Sequence, residues 1–106
     1  MAVNYDSFRT KPWAERLTLF NAISAEERAE LVRTHIRRWL EANRHELNPA
    51  QIEMMEEFIA YAQAELYALP MSDESRNEMR ALEARTASLF SRDQIREALT
   101  MHWDPK

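Results

Sequence analysis

The chain contains no glycine in its 106 residues. Without glycine the backbone has no easy entry to left-handed conformations, and loops that bring N–H groups close to a phosphate lose their usual residue. Walker-type and Rossmann-type sites are thereby excluded. Cysteine is absent as well, which removes zinc–thiolate and thiol redox chemistry. Chain punctuation falls to four prolines and to Ser, Asn and Asp.

These residues divide the sequence at helix starts. Asn48 precedes Pro49, whose missing N–H would be orphaned anyway at the first helical position, and Gln51 completes a capping box. Leu47 and Ile52 stand where a hydrophobic staple needs them. Ser24 with Glu27, and Ser91 with Gln94, repeat the same pattern. Between these starts the apolar spacing follows the 3.6-residue period of a helix rather than the alternation of a strand. Val32, Ile36, Leu40, Asn43 and Leu47 make one stripe, widened by Trp39. Ile52, Met55, Ile59, Ala62, Leu66 and Leu69 make another, flanked by Met54, Phe58 and Tyr61. Met79, Leu82, Thr86, Leu89 and Phe90 form a third, and Ile95, Ala98, Leu99 and His102 a short fourth. Trp13, Leu17 and Phe20 mark a short helix over 12–21. A partial echo between 19–31 and 89–99 reflects shared helix-boundary residues rather than duplication.

The expected architecture is all-α: a compact antiparallel bundle of four main helices plus a short N-terminal one, because helices of this length joined by short links pack as neighbours. At 12.6 kDa the chain is one domain, 1–106, with 1–11 expected as an irregular arm. No segment reaches the roughly 18 consecutive apolar residues of a membrane helix, and residues 1–17 lack the apolar run of a signal peptide. The expected location is the cytoplasm. The net charge of −4 argues against a dedicated nucleic-acid binder, which must neutralise phosphates.

Few residues suggest chemistry. Neither Glu-x-x-His nor HExxH occurs, and no nucleophile elbow or Ser–His context is present, so no catalytic residue or cofactor is assigned. His35, Glu41, His45 and His102 form the ligand set of an alternative reading as a small ligand- or metal-binding protein; Glu41 and His45 share a helical face at i,i+4. Arg28, Arg33, Arg37, Arg38 and Arg44 concentrate on the second segment, and Glu46, Glu53, Glu56, Glu57 and Glu65 on its end and the third. This two-signed surface offers a basic strip and an acidic ridge to partners. The Arg-rich helix is also the sole support for a second alternative, an acidic DNA-associated regulator. The favoured function is non-catalytic binding of a protein or peptide, with a homodimer as a further option. The anchors are His35, Arg38, Trp39, Met54, Phe58 and Tyr61, and Glu57 supplies charge complementarity.

The segments 22–59 and 82–99 contain a Ser-initiated helix, His-Ile-Arg-Arg-Trp-Leu, Asn-Pro-Ala-Gln and Leu-Phe-Ser-Arg. In these features the chain resembles the bacterial bacteriocin fulvocin C-related proteins. The resemblance implies an association with antimicrobial peptides and carries no catalytic residues. The lack of cysteine favours an intracellular accessory or immunity-like role over a disulfide-dependent toxin.

Overall fold

Helix starts dominate the local structure, and all but that of the second helix, which Pro12 precedes, are held by a side chain. The computed structural model describes residues 4–103, and among these residues all regular structure is helical: α1 (Tyr5–Arg9), α2 (Trp13–Ala22), α3 (Ala25–Asn43), α4 (Pro49–Tyr61), α5 (Asp73–Leu89) and α6 (Arg92–Leu99), with 3-10 turns at Arg44–Glu46 and Ala64–Tyr67. Both expected capping boxes form: Asn48 accepts from the Gln51 N–H while the Gln51 side chain accepts from Asn48 N–H, each at 2.9 Å, and Ser91 with Gln94 does the same. Ser24 accepts from the Glu27 N–H, and Ser72 caps α5 through the Ser75 N–H. Caps of this kind contribute about 1 kcal/mol each.

The second segment of the sequence becomes α3, and it is the axis of the fold. Its 19 residues, roughly 28 Å long, pack against α1, α4, α6 and the Ala64–Tyr67 turn. The stripe Val32, Ile36 and Leu40, with Trp39 beside it, is buried, and Met54, Met55, Phe58, Leu66, Leu82 and Phe90 close over it. Burial of each such side chain contributes roughly 1.5–3 kcal/mol. The Cα positions extend 37 × 36 × 20 Å, so the short dimension holds about two helix layers.

Three expectations require correction. Within 1–11, expected to be irregular, residues 5–9 form α1; residues 1–3 lie outside the described residues. Asn4 caps this single turn through the Asp6 and Ser7 N–H groups, and Tyr5 and Phe8, three residues apart, both face the core. One turn is too short for apolar periodicity to register. The third stripe, read as one helix reaching Leu69, breaks at Ala62, where φ −76° and ψ 74° with a Gln63 N–H to Tyr61 carbonyl bond make an inverse γ-turn. Arginines of α3 take the carbonyls that a continuous helix would use internally: Arg33 Nη1 donates to Ala62 O at 2.5 Å and Arg28 Nε to Tyr67 O at 2.7 Å. His102, placed on the last apolar stripe, is exposed because α6 ends at Leu99.

Candidate functional site

The residues proposed as partner anchors separate into two groups. His35, Trp39, Met54 and Phe58 are buried, with at most 3% of their surface exposed, and so offer no surface to a partner. His35 lies between α1 and α6: its Nδ1 is 2.5 Å from the Tyr5 hydroxyl and its Nε2 2.6 Å from the Glu97 carbonyl. Trp39 Nε1 donates to the Glu97 carboxylate at 3.1 Å, and its ring packs near-perpendicular to Phe90. These are core residues whose polar atoms are satisfied internally, as burial demands. Burial pushes the Tyr5 phenol above its ordinary pKa, with the guanidinium charges of Arg9 and Arg38 opposing.

Arg38, Glu57 and Tyr61 are the anchors that reach the surface. Arg38 covers the Tyr5 ring at 5.0 Å and bonds Asp6 at 2.6 Å, so it secures α1. Glu57 accepts from Arg85 of α5 at 2.6 Å, and this hydrogen bond holds the carboxyl below the usual range while raising the guanidinium. Tyr61, the last residue of α4, is 48% exposed.

The proposed metal ligands do not converge. Glu41 is exposed beside Arg44, His45 is exposed beside Glu46, and His102 accepts from Arg96 Nε at 3.1 Å while its ring packs edge-on against Trp13. Among the described residues no three His, Asp or Glu side chains are grouped to hold a metal ion. Of the five arginines read as a basic strip, Arg37 is exposed on α3 and the other four are engaged, Arg38 with Asp6. Arg28 is buried against the Phe20, Ile23 and Tyr67 carbonyls, Arg33 is bound to Ala62 and Glu30, and Arg44 lies near two glutamates.

What the fold builds instead is a concave strip along one side. The break at Ala62 swings the chain away from α4, and the Ser75 hydroxyl of α5 donates to the Glu65 carbonyl at 2.8 Å, fixing the turn against α5. A depression of about 360 Å³ opens there, walled by Tyr61, Gln63, Glu65, Ser72, Glu74 and Glu78. Tyr61 and Glu78 also border a smaller one of about 190 Å³ that continues past Ala81 to Arg85. Gln63 and Glu65 border a third, about 490 Å³, reaching Glu26, Glu27, Glu30 and Arg33 on α3. The three depressions share walls and form one strip. Sequence reasoning found Tyr61 and Glu65 but missed Glu74 and Glu78, which carry no local signal beyond being polar residues on an exposed helix face.

No protein-family model, curated protein or solved structure matches this chain. No helix among the described residues is long and apolar enough to cross a membrane.

Proposed function

We propose that this protein is a small non-catalytic binding module that receives a peptide segment of a partner in the strip centred on Tyr61. The observation that carries this reading is the position of Tyr61: a large aromatic side chain, half exposed, standing where two depressions meet. Aromatic side chains on a rigid helix lose little entropy on contact and are enriched among residues that dominate binding energy. Glu57 and Arg85 flank the same helix pair and supply polar groups at the rim. The strip rests on neighbouring main helices, consistent with the antiparallel bundle expected from the short connections. With the resemblance to fulvocin C-related proteins as its support, the reading extends to an accessory or immunity-like factor of an antimicrobial-peptide system, acting in a bacterial cytoplasm.

The test is site-specific photocrosslinking in cells, with a benzophenone side chain at position 61 and, as a control, at Arg80, which is exposed and outside the strip. The expected outcome is a discrete crosslinked polypeptide from position 61 alone. Equal labelling from both positions, or none from position 61, overturns the reading.

Homodimerisation is a second reading, favoured by one observation on a different face. Helix α2 buries only Arg16 while Trp13 and Leu17 stay 40% and 48% exposed. A helix with apolar residues left outside is a candidate for coverage by another copy.

A further inference from the structure

We propose that the occupant of the Tyr61 strip is a cationic, amphipathic peptide segment that lies along all three depressions; this rests on the peptide-binding reading above. The charge distribution carries it. Glu26, Glu27, Glu30, Glu65, Glu74 and Glu78 line the two larger depressions, and the single cation among their walls is Arg33. With Arg85 at the end of the smaller depression, six glutamates against two arginines leave four negative charges on the strip, as many as the −4 of the whole chain. The remainder of the molecule is therefore net neutral, and the acidity of this protein is concentrated here.

Helix-terminal electrostatics account for only part of the pattern. Glu26, Glu27 and Glu74 occupy first turns, where a carboxylate meets the positive end of the helix dipole. Glu30 and Glu78 lie beyond those turns, and Glu65 sits in a 3-10 turn, so the dipole does not explain them. Arg33 cancels the charge of Glu30, which its Nη2 pairs at 2.5 Å while its Nη1 donates to Ala62 O at 2.5 Å, and the other carboxylates of these two depressions have no cation among the lining residues.

The spacing of the carboxylates selects the kind of cation. No three of them gather around a point among the described residues, so a single metal ion is poorly served. A ligand with its positive charges spread along its length fits a strip whose charged walls are shared from one depression to the next. Between the carboxylates stand apolar surfaces, Ala60 and Ala81 with the Tyr61 ring. A segment that alternates cationic and apolar side chains meets both features, and the ring face of Tyr61 can also accept a cation. A simple polyamine has only short methylene spacers, and no side chains, to set against those apolar surfaces.

Fluorescence anisotropy tests this with short labelled peptides of alternating Lys and Leu, Ser and Leu, or Glu and Leu, at low and at near-physiological salt. The expected result is binding of the Lys/Leu peptide alone, weakened roughly tenfold by the added salt as the charges are screened. Glu65→Lys, at the wall shared by two depressions, is expected to weaken it by a further roughly tenfold. Glu83→Lys, an equal charge reversal outside the strip, is expected to leave binding unchanged apart from the small effect of net charge. Circular dichroism of both variants keeps a folding failure distinguishable. Equal binding of the Ser/Leu peptide, or salt insensitivity, overturns the cationic occupant and leaves the peptide-binding reading standing. Complete displacement by equimolar spermine overturns it in favour of a polyamine. Binding of none of the peptides, or binding unaffected by both Glu65→Lys and Tyr61→Ser, overturns the inference and the peptide-binding reading together.

Discussion

Arg16 of α2 donates through Nη1 to the carbonyl oxygen of Met101, 85 residues away, at 2.9 Å. That carbonyl is available because Met101 has φ 59°, the left-handed region usually given to glycine. In a chain without glycine the end of α6 is turned by a methionine instead. The Thr100 N–H bonds the Arg96 carbonyl, and the Met101 side chain is buried in the core. The strain of a non-glycine residue there costs roughly 1–2 kcal/mol, which the surrounding contacts offset. Arg16→Met keeps the aliphatic volume and removes the donor, so it is expected to destabilise the fold by about 1–3 kcal/mol in urea unfolding. Met101→Gly relieves the backbone but gives up a buried side chain worth roughly 2–3 kcal/mol, and a net loss is expected. An unchanged midpoint for Arg16→Met refutes the anchoring role.

A second prediction concerns His35. Its Nε2 faces the Glu97 carbonyl, which only accepts, so that nitrogen carries the proton; in the neutral ring Nδ1 then accepts from the Tyr5 hydroxyl. Tyr5→Phe removes that donor in a buried setting and is expected to cost about 1–3 kcal/mol. Asp6→Asn weakens only the exposed contact with Arg38 and is expected to cost at most about 1 kcal/mol. If the two substitutions cost the same by thermal unfolding, the buried hydrogen bond is not what holds α1.

The contrast between these two sites shows what the residues disclosed on their own. Asn48, Ser24 and Ser91 act through neighbours three residues away, so their capping was legible from local order. The all-α class followed from the period of Ile36, Trp39, Leu40 and Met55, all deeply buried. Whether a broad apolar arc meets the core or a partner depends on packing at long sequence separation, and spacing does not encode it. For that reason the spacing allows His35, Trp39, Met54 and Phe58 to be read as a partner surface, whereas they belong to the interior. Arg16 and Arg28 were illegible as core residues for the same reason: their partners are backbone carbonyls of distant segments, which leave no mark in side-chain pattern. The strip around Tyr61 was half legible, since its carboxylates come from α3, α5 and the Ala64–Tyr67 turn, brought together only by the break at Ala62.

Arg28 provides a third prediction. Its guanidinium is buried and donates to Tyr67 O at 2.7 Å and Ile23 O at 2.5 Å, with a longer bond to Phe20 O. It therefore ties the end of α2 and the Ala64–Tyr67 turn to the start of α3 in one contact. Arg28→Met strips charged donors from buried carbonyls and is expected to cost about 2–4 kcal/mol. Hydrogen exchange should accelerate in α2 and the turn ahead of α4, because those two segments lose their shared anchor. Uniform acceleration across all helices would show that Arg28 supports the whole fold rather than these ends.

The remaining prediction is an alkaline limit to stability set by Tyr67. Burial raises its phenol well above the ordinary value of 10.0, against a smaller opposing effect from the Arg33 charge. In the unfolded chain the same phenol ionises near that ordinary value. Above pH 10 the unfolded state therefore holds fewer protons than the folded one, and stability falls as pH rises. Below pH 10 both states keep the proton and this contribution is fully present. Tyr5, raised for the same reason, adds a parallel slope. Urea midpoints followed from pH 8 to about pH 12 are expected to be flat to near pH 10 and then to decline. Tyr67→Phe removes one ionising group while keeping the ring, so its decline over the alkaline range should be shallower than that of the parent protein. Parallel alkaline slopes for the two proteins would mean that Tyr67 ionises as readily in the fold as outside it, and would remove its ring from the interior.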